Sequence, residues 1–286
     1  MPDPFNCSIG GISIALIPEK APGRFSLIKK AINFVSNDAP EVTLQVHCGK
    51  FPKIEDPKQV FDTNHTWEMF EQGDRQVIKV RSPQMDPYQL GVFSKDFRSG
   101  DIYVANDVRE LDAYVFPLSY PMGELYTMNL LGTGIGMIFH AAGVIYQGEG
   151  YLFTGHGGVG KSTTARLWQD QPKVLVVNDD KVIIRKENDQ FYLYGTPWHG
   201  EGGMALPDSA PLRKVFVLKQ ALENYIHPIP PAELTAKLLV RTFSPLWDEE
   251  KVTFFLSFLE ELGKKVPCME LGFLPNRSAV DFVLAQ

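Results

Sequence analysis

Through roughly the first 115 residues, apolar positions fall in short runs separated by turn residues, a rhythm that predicts strands. Strands are expected at Ile9 to Ile17, Val42 to Val46, Trp67 to Phe70 and Val77 to Val80, the last two turning around Gln72-Gly73-Asp74. A second hairpin is expected at Gln89 to Phe93 and Asp101 to Ala105, closed through Ser99-Gly100. Only Arg24 to Ser36 carries a helical spacing here, with Phe25, Ile28, Ile32 and Val35 on one face. Pro117 and Pro121 then punctuate the chain and Glu124 to Leu131 reads as a short helix. The organisation expected is a smaller, mostly antiparallel β module over 1–118 and a second domain over 119–286.

In the second domain, Met137 to Tyr146 and Tyr151 to Thr154 read as a hairpin turning at Gly148-Glu149. A helical run follows at Thr163 to Gln169. Strands come at Val174 to Val177, Val182 to Arg185 and Gln190 to Tyr194, the last two joined through Asn188-Asp189. Helices at Pro231 to Arg241 and Asp248 to Leu262 show i, i+4 and i, i+7 apolar spacing. Alternating strands and helices of this kind imply an α/β class with a mixed, α+β-like sheet.

Composition narrows the function. The chain has 286 residues, 44% of them hydrophobic, enough to bury a full core. A net charge of −6 supplies no basic field, so neither a polynucleotide nor an anionic membrane is an expected partner. The longest apolar stretch, Leu130 to Tyr146, is broken by glycines and His140 and is too short to span a bilayer. Cys7, Cys48 and Cys268 are odd in number and far apart, which fits neither a disulfide framework nor a zinc site. With no basic-then-apolar leader in MPDPFNCSIGG, a cytoplasmic protein is expected.

The strongest chemical signal is Gly155-His156-Gly157-Gly158-Val159-Gly160-Lys161-Ser162, which fits G-x-x-x-x-G-K-[ST] between a strand-like and a helix-like run. Glycines let the backbone curl so that successive N–H groups face inward, and the following helix points its positive end at the anion. Lys161 would reach the outer phosphates, Ser162 would hold magnesium, and Thr163 closes the motif, so ATP and Mg²⁺ are the expected ligands.

Two further clusters surround it. Antiparallel pairing about Gly148-Glu149 sets His140 opposite Gly157, beside the phosphates; a core histidine satisfied by backbone is the equal alternative. A helix of nine residues rises ~14 Å and a strand at ~3.3 Å per residue returns the same distance, so Asp179-Asp180 ends a right-handed strand-helix-strand unit at the phosphate edge. Adjacent aspartates suit two tasks, a hard oxygen ligand for magnesium and a carboxylate to take a hydroxyl proton, or else simply begin a turn. Thr196-Pro197-Trp198-His199-Gly200-Glu201-Gly202-Gly203 offers a carboxylate, an imidazole and an aromatic, or an ordinary loop whose Trp198 packs inward.

Three residue groups together resemble the HPr kinase/phosphorylase family and, more distantly, phosphoenolpyruvate carboxykinase. They are Ile138-Phe139-His140-Ala141-Ala142, the loop ending Lys161-Ser162-Thr163, and Asn178-Asp179-Asp180. The run 195–201, Pro211-Leu212-Arg213 and Glu270 to Pro275 are similar to a less characterised branch of HPr-kinase-like proteins. The resemblance covers about 125–286 and leaves the N-terminal module without a role. It implies a P-loop kinase domain in which Asp179 is the catalytic base and His140 assists proton movement or binds phosphate. Ser162, Asp180 and Glu201 would meet the metal. Gly157, where the family usually has serine, and His156 depart from its loop.

The resulting expectation is an ATP- and Mg²⁺-dependent kinase acting on a hydroxyl, a serine in a protein, a peptide or a free amino acid. The competing reading is a nucleotide-dependent regulatory module that transfers nothing, and carboxykinase-like chemistry ranks below both. The sequence leaves a homo-oligomer open.

Overall fold

The computed structural model describes residues 4–19, 25–26, 31–83, 85–105 and 114–286. The chain divides into two compact units. One holds the start of the chain up to Ser8 together with Ile12–Thr133; the other holds Gly134–Gln286 and the short piece Ile9–Gly11. The helix that follows Pro121 thus belongs to the first unit, past the 118/119 division expected from the prolines.

The first unit contains β1 (Phe5–Ile9), β2 (Ile12–Pro18), β3 (Phe25–Ser26), β4 (Val42–Cys48), β5 (Lys58–Asp62), β6 (Trp67–Gln72), β7 (Arg75–Ser82), β8 (Met85–Ser94), β9 (Ser99–Val104), β10 (Tyr114–Val115) and α1 (Met122–Leu131). Its main sheet runs β1-β2-β4-β9-β8-β7-β6-β5. From β9 to β5 the pairs are antiparallel, but β2, β4 and β9 are parallel, so the sheet is mixed.

Three expectations are corrected here. The apolar run Ile9 to Ile17 is not one strand: Gly10 and Gly11, both at positive φ, fold it into a tight hairpin. The β8–β9 hairpin closes over 95–98, with Phe97 at φ 57, and Ser99-Gly100 already lies in β9. The helix expected at Arg24 to Ser36 falls partly outside the described residues; within them, β3 is extended and only Ala31–Phe34 forms a 3₁₀ turn.

The second unit contains β11 (Gly136–Tyr146), β12 (Glu149–Thr154), α2 (Lys161–Gln169), β13 (Val174–Asn178), β14 (Lys181–Glu187), β15 (Gln190–Tyr194), β16 (Ser209–Gln220), β17 (Tyr225–Pro228), α3 (Pro231–Leu239), β18 (Thr242–Phe243), α4 (Glu249–Lys265), β19 (Cys268–Phe273) and α5 (Ser278–Leu284). Its strands form a mixed sheet in which β11 and β16 are long enough to serve two sets of partners. β11 pairs with β14 up to His140 and with β18 at Ile138 and Phe139, then with β12 from Ala141 and β13 from Gly143 onward. The change of partner falls between His140 and Ala141, where Ala141 N–H donates to Asp180 O at 2.9 Å.

One apolar core packs Phe139, Phe191, Phe255, Leu259 and Leu262 among β11, β15 and α4. A second packs Phe153, Trp168, Phe216 and Val280 among β12, α2, β16 and α5. The Phe153 and Phe216 rings stack at 5.3 Å, and Trp168 of α2 lies 5.5 Å from Phe153. That packing fixes α2, and with it the loop before it, against the sheet.

The hairpin register differs by two residues from the one expected. Tyr146 pairs with Glu149 and Ala141 with Thr154, so the turn is Gln147-Gly148, both at positive φ. His140 does not reach Gly157; it pairs with Lys181 of β14 instead. No helix among the described residues is long and apolar enough to cross a membrane. The three cysteines are free, and burial pushes the Cys7 and Cys268 thiols up to about 12.

Candidate functional site

The loop between β12 and α2 is held from both ends. Val159 is fully buried and fills the space beside Gly155, where a Cβ would come within 2.7 Å of Val159 Cγ1. Gly160 adopts φ 114 and lies under the Phe273 ring, 2.7 Å from where a Cβ would sit, so only glycine fits. Gly157 and Gly158 face open space. Gly160 heads α2 and has no side chain to cap it, so the first-turn amides of Lys161, Ser162 and Thr163 keep their donor capacity. This is the arrangement an anion requires: free donors at the positive end of a helix, approached by backbone alone.

Lys161 is buried, and its ammonium donates to the carbonyls of Gly155 and His156, each at 3.2 Å. Burial lowers its pKa, the Asp180 charge opposes that, and the Arg241 charge adds to it. A cation kept from water this way gains from a polyphosphate. His156 is exposed, and its Nδ1 lies 2.7 Å from the Gly157 carbonyl.

Opposite the loop, Asn178 organises the turn after β13. Its Oδ1 accepts from the amides of Asp180 and Lys181, both at 2.8 Å. Its Nδ2 donates to Thr196 O at 2.9 Å and Trp198 O at 2.8 Å. One fully buried side chain therefore ties the aspartate pair to the glycine-rich segment that follows β15. Trp198 is buried and packs inward, whereas His199 and Glu201 are exposed.

The two aspartates point to different surroundings. Asp179 is 1% exposed, and its carboxylate accepts three backbone amides: Gly200 at 3.1 Å and Met204 at 3.4 Å on Oδ1, Gly202 at 2.7 Å on Oδ2. A Cβ on Gly202 would lie 2.4 Å from Asp179 Oδ2, which explains a glycine there. Asp180 instead takes His140 Nε2 on Oδ1 at 2.9 Å and the Lys181 ammonium on Oδ2. Burial opposes its ionisation, but the hydrogen bonds and charges of His140 and Lys181 outweigh that and hold it well below the usual carboxylate range. Lys181 also lies 5.7 Å over the Phe243 ring.

Fold and sequence thus bring His140, Lys161 and Asp180 into one electrostatic neighbourhood. Asp179 stands behind it as the anchor of the 200–204 turn. Glu201 sits at the exposed crest of that turn, between Gly200 and Gly202, which abut the two aspartates. Among the described residues no three His, Cys, Asp or Glu side chains form a metal cage. Magnesium does not need one, since it binds through one or two protein ligands and completes its shell with phosphate oxygens and water. Asp180, ionised and partly open, and the half-buried Ser162 are ligands of the right hardness.

Two neighbours were not legible in the sequence. Lys181 follows the aspartates and had no motif to mark it. Arg241 lies between the end of α3 and β18, where its carbonyl accepts His140 N–H at 2.8 Å because β18 pairs with β11.

No family model matches the chain, and no curated protein matches it. Among solved structures, the HPr(Ser) kinase/phosphatase from Coxiella burnetii matches 52% of this chain and 93% of its own, at 15% sequence identity and a TM-score of 0.30. At that score the likeness transfers no role or ligand to this chain.

Proposed function

We propose that the second unit is an ATP- and Mg²⁺-dependent phosphotransferase that moves a γ-phosphoryl group to a hydroxyl, with serine, in a protein, a peptide or as the free amino acid, as the acceptor. The observation that carries this is the pairing of an uncapped glycine loop and buried Lys161 with an ionised Asp180 that is hydrogen-bonded to His140. The loop amides would bind the β- and γ-phosphates, and Lys161 would exchange its two carbonyl acceptors for phosphate oxygens. Ser162 and Asp180 would hold the magnesium ion, which neutralises charge that builds on the phosphates.

His140 takes the acceptor proton in this reading. The contact of Nε2 with Asp180 leaves Nδ1 as the ring nitrogen that would take the proton, and a base oriented by a carboxylate is a recurrent solution for activating a hydroxyl. The acceptor oxygen forms the new P–O bond, the bond between the γ-phosphorus and the bridging oxygen breaks, and ADP leaves. Asp179 holds the 200–204 turn; to act as base, as the family resemblance implies, it would have to release amide hydrogen bonds.

Incubation with γ-labelled ATP and serine-bearing acceptors tests this. Transfer of label to a hydroxyl is expected, falling about 100-fold or more in His140→Gln while ATP affinity stays within about threefold. Tight ATP binding with no label on any acceptor would instead favour a nucleotide switch.

A further inference from the structure

A cleft of about 470 Å³ opens on the flank of the phosphate loop, within the ~300–1,000 Å³ typical of small-molecule sites. One wall is the loop itself and the start of α2, through Gly158, Gly160 and Thr163; the other is apolar, through Leu222, Phe273 and Pro275. None of His140, Asp179 or Asp180 lines it. The loop therefore has two unlike ends, one acidic and basic, the other a mostly apolar slot.

The slot is rigid where it needs to be. Gln220 Nε2 donates to Gly158 O at 3.2 Å, which fastens the end of β16 to the loop. The Asn224 side chain accepts from Leu274 N at 2.8 Å and donates to Ser278 Oγ at 2.9 Å, which fastens the two rim segments to each other. Against this fixed frame, Leu222 is 97% exposed. At the rim its side chain therefore offers apolar area that a ligand in the slot could cover.

We propose that this slot is the nucleoside site: the purine of the bound nucleotide lies between Leu222 and the Phe273-Pro275 wall, and its γ-phosphate points toward Asp180. The inference rests on the phosphate-loop reading given above and adds to it the direction of the nucleotide and the manner in which the base is held. Thr163, next in sequence to the Lys161-Ser162 pair, is the step between phosphates and slot. Thr163 and Gln220 are the lining side chains with hydrogen-bonding groups; Thr163 stands at the phosphate step and Gln220 gives one N–H to Gly158, so no set of donors and acceptors converges at the base end. The purine is held by apolar contact rather than by readout of its edge, so adenine and guanine nucleotides should be accepted alike.

The test is calorimetric titration of the full chain with Mg-ATP, Mg-GTP and inorganic tripolyphosphate, in the native sequence and in Leu222→Asp. ATP should bind more tightly than tripolyphosphate by about tenfold or more, and GTP within about tenfold of ATP. Leu222→Asp should weaken ATP at least about fivefold and leave tripolyphosphate within about twofold. A Leu222→Trp variant gives a direct signal, since indole emission should change with ATP and stay constant with tripolyphosphate. An ATP affinity unmoved by Leu222→Asp, equal weakening of ATP and tripolyphosphate, or unchanged indole emission at saturating ATP would overturn the slot assignment while leaving the phosphate loop standing. A GTP preference or rejection beyond about tenfold would overturn the apolar-contact account. Failure of tripolyphosphate and ATP alike to bind the native chain would remove the phosphate loop, and the slot with it.

Discussion

Replacing Asp179 by asparagine separates an anchor from a base. The native carboxylate accepts Gly200 and Met204 N–H on Oδ1 and Gly202 N–H on Oδ2, all from backbone that cannot turn away. An asparagine keeps one acceptor oxygen, and its less costly orientation leaves that oxygen on the Oδ1 side. The amide NH₂ then faces Gly202 N–H, donor against donor, where the bond had been 2.7 Å. Losing one charge-assisted hydrogen bond and leaving a buried amide unpaired costs about 2–3 kcal/mol. At about 2–4 °C per kcal/mol for a unit of this size, the melting temperature should fall by about 4–12 °C. Thermal unfolding monitored by intrinsic fluorescence, with limited proteolysis to follow the 200–204 turn, reads the effect. A variant that melts within about 1 °C of the native chain, its turn equally protected, would refute the anchoring argument. A normally stable variant with no transfer would return Asp179 to the role of base.

Gly202→Ala attacks the same cage from the other side, since its Cβ would lie 2.4 Å from Asp179 Oδ2; it should lower the melting temperature comparably, and an unchanged melt would show that the turn yields freely. Gly160→Ala should destabilise the loop and weaken ATP in titration, because φ 114 is strained for alanine and Phe273 occupies the space. Asp180 has its folded pKa depressed, so its stabilising contribution is full above the unfolded carboxylate pKa of ~3.9 and is lost as pH falls toward the folded value. Denaturant titrations below about pH 5 should therefore show a shallower loss of stability in Asp180→Asn than in the native chain, and parallel acid limbs would contradict that.

The glycine-rich loop was legible as a strand-to-helix turn because its signal is local: glycines, lysine and serine between β12 and α2. The hairpin before it was legible as an element but not in register. Turn preferences favour Gly148-Glu149, yet the chain places Gln147 at φ 52, an uncommon conformation for a non-glycine residue. The two-residue difference keeps every side chain on the same face, so His140 still reaches the site, by way of β14 and Asp180 rather than Gly157. The hairpin at Gly10-Gly11 was hidden because apolar residues continue on both sides of it. Strands β16, β17 and β19 carried no clear alternation: β16 contains Pro211 and β17 ends in Pro228, and their partners come from distant sequence. The cage around Asp179 did leave a trace, since Gly200 and Gly202 are spaced so that two amides can approach one carboxylate, but nothing in the sequence named that carboxylate.

The central claim is that the amides from Gly158 to Thr163 and the Lys161 ammonium grip a triphosphate facing Asp180 and His140. A crystal structure of the chain with Mg²⁺ and a non-hydrolysable ATP analogue measures this most directly. The account expects Lys161 Nζ to have left the Gly155 and His156 carbonyls for phosphate oxygens, with the γ-phosphate on the Asp180 side of the loop. Phosphates bound elsewhere, or a Lys161 still bonded to both carbonyls beside an occupied site, would contradict it.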